Sequence, residues 1–184
     1  IRPTPHMSFD ATAFVRLDAL QSLGKSASGV SLATSTGDIF EVSCYGPGVF
    51  RLRAGPSTKP DYGLVVGRTK PCAVEQGEGG AWKFTAGETT LELAATPLRF
   101  RLLHRGAPVA GSITDEHFRG WTRLPSFGRV RQGGQWTAAL ALASGEPVYG
   151  LGEKFGPLNK RGQLIHSRVV DALGVNTGLA YKNT

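Results

Sequence analysis

The chain has 184 residues, of which 40% are hydrophobic, 9% aromatic and 19% charged, the make-up of a globular chain with one full core and not of a disordered segment. Its 21 basic and 14 acidic side chains leave a net charge of +7, but the basic residues are scattered among acids and glycines with no block of like charge, which argues against a nucleic-acid site. No apolar run reaches the roughly eighteen residues a membrane helix needs, and Ile1-Arg2-Pro3-Thr4-Pro5 leads into no signal-like apolar segment.

The 25 glycines and 11 prolines suit a sheet protein with frequent tight turns. In chain order, Asp10 to Leu20 and Gly29 to Ala33 are the first, weaker strand candidates. Phe40, Val42 and Cys44 then oppose Glu41 and Ser43, the period-two pattern of a strand with one side on a core. Tyr45-Gly46-Pro47-Gly48 turns the chain into a second strand, Val49-Phe50-Arg51-Leu52-Arg53. Gln76-Gly77-Glu78-Gly79-Gly80 reads as a hairpin end ahead of Trp82 and Phe84, which flank Lys83. Leu91 and Leu93 alternate with Thr90 and Glu92, and Leu98, Phe100 and Leu102 with Arg99 and Arg101. Trp136, Ala138, Leu140 and Leu142 line one side of a later run, and Val148-Tyr149-Gly150-Leu151, after the turn Ser144-Gly145-Glu146-Pro147, is one more strand candidate. Helical spacing never persists. About eight or more short antiparallel strands predict an all-β fold, an antiparallel β-sandwich over residues 1–151.

After Gly152 the text becomes a basic loop, 152–184, read either as a functional rim or as a linker. Lys154, Lys160, Arg161 and Arg168 read first as a solvated face, with phosphate binding or pairing to nearby carboxylates as the other option. The run Gly150 to Gly156 is not a dinucleotide fingerprint, because Phe155 stands where the third glycine belongs and Pro157 precludes the following helix. Cys44 and Cys72 match no metal spacing and read as two buried thiols in preference to a bridge, and His6, His104, His117 and His166 are too scattered for a zinc site, so no metal or cofactor is expected. Asp115, Glu116, Glu146, Glu153 and Asp171 show no pairing into an acid and a nucleophile, so the chain does not read as a complete hydrolase.

The run Tyr149-Gly150-Leu151-Gly152-Glu153-Lys154-Phe155-Gly156-Pro157-Leu158-Asn159-Lys160-Arg161-Gly162 closely resembles the YGLGE(K/R)xGPLxKRG segment of glycoside hydrolase family 31, chiefly α-glucosidases and α-xylosidases. Asp171-Ala172-Leu173-Gly174, followed by Leu179 to Thr184, is similar in order and spacing to the family's later WNxDAxG…YKxxPF passage, and Val49 to Arg53 resembles an early strand of the family. The resemblance implies a galactose-mutarotase-like β-sandwich placed before a (β/α)8 barrel that holds both catalytic Asp residues of a retaining mechanism. It implies no catalytic residue in this chain. Asp171 falls where the family's amino-terminal module reaches the barrel mouth and contacts the sugar, and residues 163–184 would pack over that mouth. Ser167-Arg168-Val169-Val170 stands where the family has Trp-Asn, which alters that subsite and offers Arg168 to a charged substituent. Glu153 resembles a structural position near the domain junction.

On that reading the partners are the rest of the same enzyme and an α-linked oligosaccharide or glycoside, with no nucleic acid and no membrane, in the cytoplasm. The start without Met and the end at Thr184 then read as cuts in a longer parent. The alternative is a stand-alone carbohydrate-binding or interaction sandwich. Its candidates for stacking on sugar are Trp82, Trp121 and Trp136, whose ordinary role is core packing.

Overall fold

A computed structural model describes residues 14–55, 65–114, 117–118, 122–130, 135–151, 156–163 and 165. The chain divides into two compact units, Ile1–Ala141 and Leu142–Thr184. Within the first, four consecutive strands form one antiparallel sheet: β2 (Ala19–Ser26), β3 (Gly29–Thr34), β4 (Ile39–Gly46) and β5 (Val49–Gly55). A second sheet runs in reverse spatial order from β10 (Ala107–Gly111) through β9 (Leu98–His104), β8 (Thr89–Ala95) and β7 (Trp82–Ala86) to β6 (Ala73–Gln76). Smaller sheets are made by β1 (Phe14–Arg16), β13 (Phe127–Val130) and β14 (Trp136–Ala138), and by β11 (His117–Phe118) with β12 (Thr122–Arg123). The expected all-β, antiparallel sandwich is what the sequence forms.

The period-two pattern explains why. Buried and half-buried residues alternate throughout β4, so Phe40, Val42 and Cys44 share the inward row. Register then builds that row sideways: Leu32 lies opposite Phe40, Val30 opposite Val42, and Leu52 opposite Val42 on the other flank. In the second sheet Trp82 lies opposite Leu93 and Phe84 opposite Leu91, while Phe100 and Leu102 continue those rows on β9. The two inward faces merge into one cluster of buried side chains that includes Leu17, Leu32, Phe40, Phe84, Leu91 and Leu98. Burying each such side chain contributes about 1.5–3 kcal/mol, which is what holds the two sheets face to face.

Two local features keep the register. A Cβ on Gly29 would lie 2.0 Å from the carbonyl oxygen of Val42, so only glycine lets β3 approach β4 this closely. The β4–β5 turn falls at Pro47–Gly48, where Gly48 has φ +74°, a conformation that suits glycine. The glycine-rich run after Gln76 forms a 3-10 turn at Glu78–Gly80, a hairpin end between β6 and β7. On the outward face of the second sheet, Arg101 meets the carboxylate of its cross-strand partner Glu92 at 2.6 Å. Arg99 donates to Ser126 Oγ and to the Thr114 carbonyl.

The third sheet closes one end of the core. The Phe127 ring stands edge-on to Phe40 at 5.3 Å between centroids and tilts toward Phe100 at 6.1 Å. Beside it, Arg129 Nη1 meets Asp38 Oδ2 at 2.8 Å, and the guanidinium carbon sits 5.6 Å from the centre of the Trp136 ring.

Two expectations differ from the structure. Trp136 is half-buried, but Leu140 is 58% and Leu142 48% exposed, so the run 136–142 does not present one apolar side to the core. The strand stops at Ala138, and it is Ala139 that turns inward, its N–H donating to the Ser126 carbonyl at 2.8 Å. Nor is Val148–Leu151 a strand: Gly150 and Leu151 both have positive φ, +90° and +66°, which breaks extended pairing.

Both cysteines are free thiols; Cys44 is buried, whereas Cys72 is partly covered. Burial foremost, then the neighbouring Cys44 thiol, pushes the Cys72 thiol up from 9.0 to about 11. The unfolded chain therefore loses this proton near pH 9 while the folded chain keeps it until near 11. Over that window the unfolded state binds fewer protons, and stability falls as pH rises by at most about 1.4 kcal/mol per pH unit. Urea unfolding of wild type and Cys72→Ser across the alkaline range measures this: the wild type loses stability more steeply. Equal slopes would refute it.

Candidate functional site

The motif-bearing segment belongs to the second unit, and its described residues fold back on themselves. Ser144–Gly145 makes a turn in which Glu146 N–H donates to the Ala143 carbonyl and the Ala143 N–H donates to Glu146 Oε2 at 2.7 Å. Arg161 then reaches across, its Nη1 donating to the carbonyls of Ala143 at 3.0 Å and Glu146 at 2.6 Å. Nη1 carries two hydrogens, so this one nitrogen serves both acceptors at once.

Asn159 is the pivot. Its Oδ1 accepts from the backbone N–H groups of Val148 and Arg161, both at 3.0 Å, and its carbonyl accepts from Gln163 Nε2 at 2.9 Å. Lys160 N–H donates to the Val148 carbonyl at 2.7 Å, which locks the two limbs together. A short amide side chain that imitates a backbone acceptor is what asparagine supplies at turns. The polar residues of the Pro157 to Gly162 run thus satisfy backbone groups of their own segment. Arg161 is exposed, as a solvated face requires, but serves main-chain carbonyls, whereas Lys160 is only 6% exposed and departs from that reading.

Around this clamp several large apolar side chains face solvent: Tyr149 is 61%, Leu151 48% and Leu158 78% exposed. Asp171, the expected sugar contact, lies outside the described residues, as do Glu153, Lys154, Arg168 and Trp121. Trp82 is 4% exposed and stacked with Phe84, and Trp136 packs against the core beneath Arg129. Neither ring is free to serve as a flat sugar platform, which leaves Trp121, outside the described residues, as the remaining candidate of the stand-alone alternative.

A separate concavity of about 470 Å³ lies over the outer face of β2 to β5. Lys25, Ser31, Glu41, Ser43, Tyr45 and Arg51 line it, and Arg51 Nη1 donates to the Tyr45 hydroxyl at 3.3 Å. Among the described residues no three His, Cys, Asp or Glu side chains gather as metal ligands, and no helix is long and apolar enough to cross a membrane.

Residues 39–184, which include both the four-stranded sheet from β4 onward and the clamp, match the family of glycosyl hydrolase 31 N-terminal galactose mutarotase-like domains. The chain belongs to that family. The sandwich is therefore of the galactose-mutarotase-like kind, as the motif resemblance implied. An alpha-xylosidase of Emericella nidulans is 48% identical over 50 residues, a stretch that covers 27% of this chain and 6% of the relative. An uncharacterized protein of Listeria monocytogenes EGD-e shares the fold with a TM-score of 0.65 at 17% identity over 85% of this chain and 15% of its own. The cycloalternan-forming enzyme of Listeria monocytogenes, solved in complex with a pentasaccharide substrate, matches with the same TM-score, identity and coverage of both chains, 0.65, 17%, 85% and 15%. The chain thus spans a small part of each of these relatives, and as a glycosyl hydrolase 31 N-terminal domain it is an accessory domain of that enzyme family.

The motif was legible in the sequence, but the roles within it were not. Asn159 carries most of the clamp, and the only sequence signal for it was an asparagine just before a Lys-Arg-Gly turn. Arg161 stood out by charge and read first as part of a solvated face, which gave no sign of the carbonyls it serves.

Proposed function

We propose that this chain is the non-catalytic amino-terminal domain of a retaining α-glycoside hydrolase acting on terminal α-linked sugars. The sandwich lies within residues 1–151, and 152–184 carry Asp171 to the substrate pocket of a following catalytic barrel. The observation that carries the reading is the Tyr149–Gly162 motif, found within a chain that belongs to the glycosyl hydrolase 31 amino-terminal domain family. The similarity to an alpha-xylosidase and the fold shared with a cycloalternan-forming enzyme support an α-linked saccharide as substrate.

Retaining hydrolysis needs an acid and a nucleophile across the scissile bond, and these belong to the barrel. This chain's part is positional. The clamp at Asn159 and Arg161 fixes the start of the loop, so a carboxylate further along it is presented from a defined base. Asp171 accepts from sugar hydroxyls and orients the ring for attack, each charge-assisted bond contributing about 1.5–3 kcal/mol. The exposed Tyr149, Leu151 and Leu158 side chains suit a junction with the barrel.

Asp171→Asn in the intact enzyme tests this. kcat/KM on a nitrophenyl α-glucoside or α-xyloside falls about 10- to 150-fold, the equivalent of one such bond, while the melting temperature holds. An unchanged kcat/KM removes Asp171 from the pocket. Turnover by the 184-residue chain alone would overturn the accessory reading altogether.

A further inference from the structure

The two cysteines do more than fill space. Cys44 lies on the inward row of β4 and is 0% exposed, while Cys72 lies just before β6 of the facing sheet. Three backbone hydrogen bonds draw these elements together: Lys70 N–H donates to the Cys44 carbonyl at 2.8 Å, Cys72 N–H to Ala27 O at 2.9 Å, and Cys44 N–H to Ser28 O at 2.7 Å. The segment 70–72 therefore runs alongside the end of β4, and the Cys72 side chain packs against the core cluster beside Cys44. Cys44 Sγ in turn donates to the Gly46 carbonyl at 3.6 Å. Two reduced cysteines thus lie on neighbouring segments at the end of β4, both against the core, with only Cys72 open to solvent.

We propose that Cys44 and Cys72 are a thiol-oxidation site that a small-molecule disulfide, such as oxidised glutathione, converts to an intersheet disulfide. Cys72 is the attacking sulfur because Cys44 is inaccessible. Its thiolate displaces one glutathione thiolate and leaves glutathione bound to Cys72. Cys44 then gives up its proton, attacks the Cys72 sulfur and expels the second glutathione. The protein loses two electrons and two protons, and the oxidised glutathione becomes two glutathione thiols. Burial holds the Cys72 thiol at about 11, so little of it is thiolate at neutral pH, and the step is slow unless oxidant is plentiful. The bridge pins the segment leading into β6 to β4 and shortens the free chain between the sheets.

Incubating the intact, folded protein with oxidised glutathione and mapping its peptides without reduction tests the site. The expected result is one cross-linked pair joining Cys44 to Cys72, both thiols vanishing together, and a melting midpoint higher by about 5–10 °C that dithiothreitol reverses. Cys72→Ser abolishes the cross-link and leaves Cys44 reduced. Cys44→Ala, if it folds, accumulates glutathione on Cys72, because nothing remains to expel it. A stable glutathione adduct on wild-type Cys72, a link between two molecules, or two thiols still reduced in excess oxidant would each overturn the proposal. The wild-type map decides even where a variant fails to fold.

Discussion

Arg129→Ala destabilises the fold by about 3–5 kcal/mol, enough to lower the melting temperature by roughly 10 °C. The reason is what the substitution leaves behind. The Asp38 side chain is 6% exposed, and Arg129 is the cation that meets it, at 2.8 Å. Thr36 donates its hydroxyl to Asp38 Oδ2 at 2.7 Å, while Thr34 Oγ1 engages only the Asp38 backbone. One hydroxyl cannot replace a guanidinium for a desolvated carboxylate. Asp38→Ala costs less, because the Arg129 side chain is 31% exposed and can turn its freed group toward water. Chemical denaturation of both single variants and the double variant separates these effects. The double variant is more stable than the sum of the two losses implies, because it strands no charge. Strict additivity would mean that the pair contributes nothing as a pair.

Phe40→Ala is the second large effect, about 3–5 kcal/mol. Phe40 is 1% exposed, lies opposite Leu32 on β3 and Ala54 on β5, and receives the edge of Phe127. Truncation opens a cavity where the four-stranded sheet meets the third sheet, and the surrounding strands cannot collapse into it without breaking register. Val109→Ala is the internal control: at 59% exposure on β10 it changes stability by no more than about 0.5 kcal/mol. Equilibrium unfolding in urea measures both, and a loss below about 1 kcal/mol for Phe40→Ala would place the core elsewhere.

The strands were legible wherever alternation was strict. Phe40, Val42 and Cys44, Leu91 and Leu93, and Leu98 with its neighbours on β9 keep inward and outward residues in a period that belongs to the backbone, so no partner is needed to see it. Where the pattern ran past the end of a strand it misled. Leu140 and Leu142 continue the spacing of Trp136, but the ladder ends at Ala138 and the next inward residue is Ala139. At Val148 the apolar residues suggested extended pairing, whereas the backbone groups of that residue are taken by Asn159 Oδ1 and the Lys160 N–H, both more than ten residues further on.

The sequence by itself determined the class of the protein: alternation dictates an antiparallel all-β core, and a contiguous motif near residues 149–162 points to the glycoside hydrolase family, because both are short-range patterns written in neighbouring residues. Tertiary structure decided the rest. The Asp38–Arg129 pair joins positions 91 residues apart, Phe127 closes a core begun at Phe40, and the segment holding Cys72 is drawn beside Cys44. Such contacts depend on which strands pair and in what register, and that choice is made by the burial of the whole apolar surface at once and not by any local run of residues.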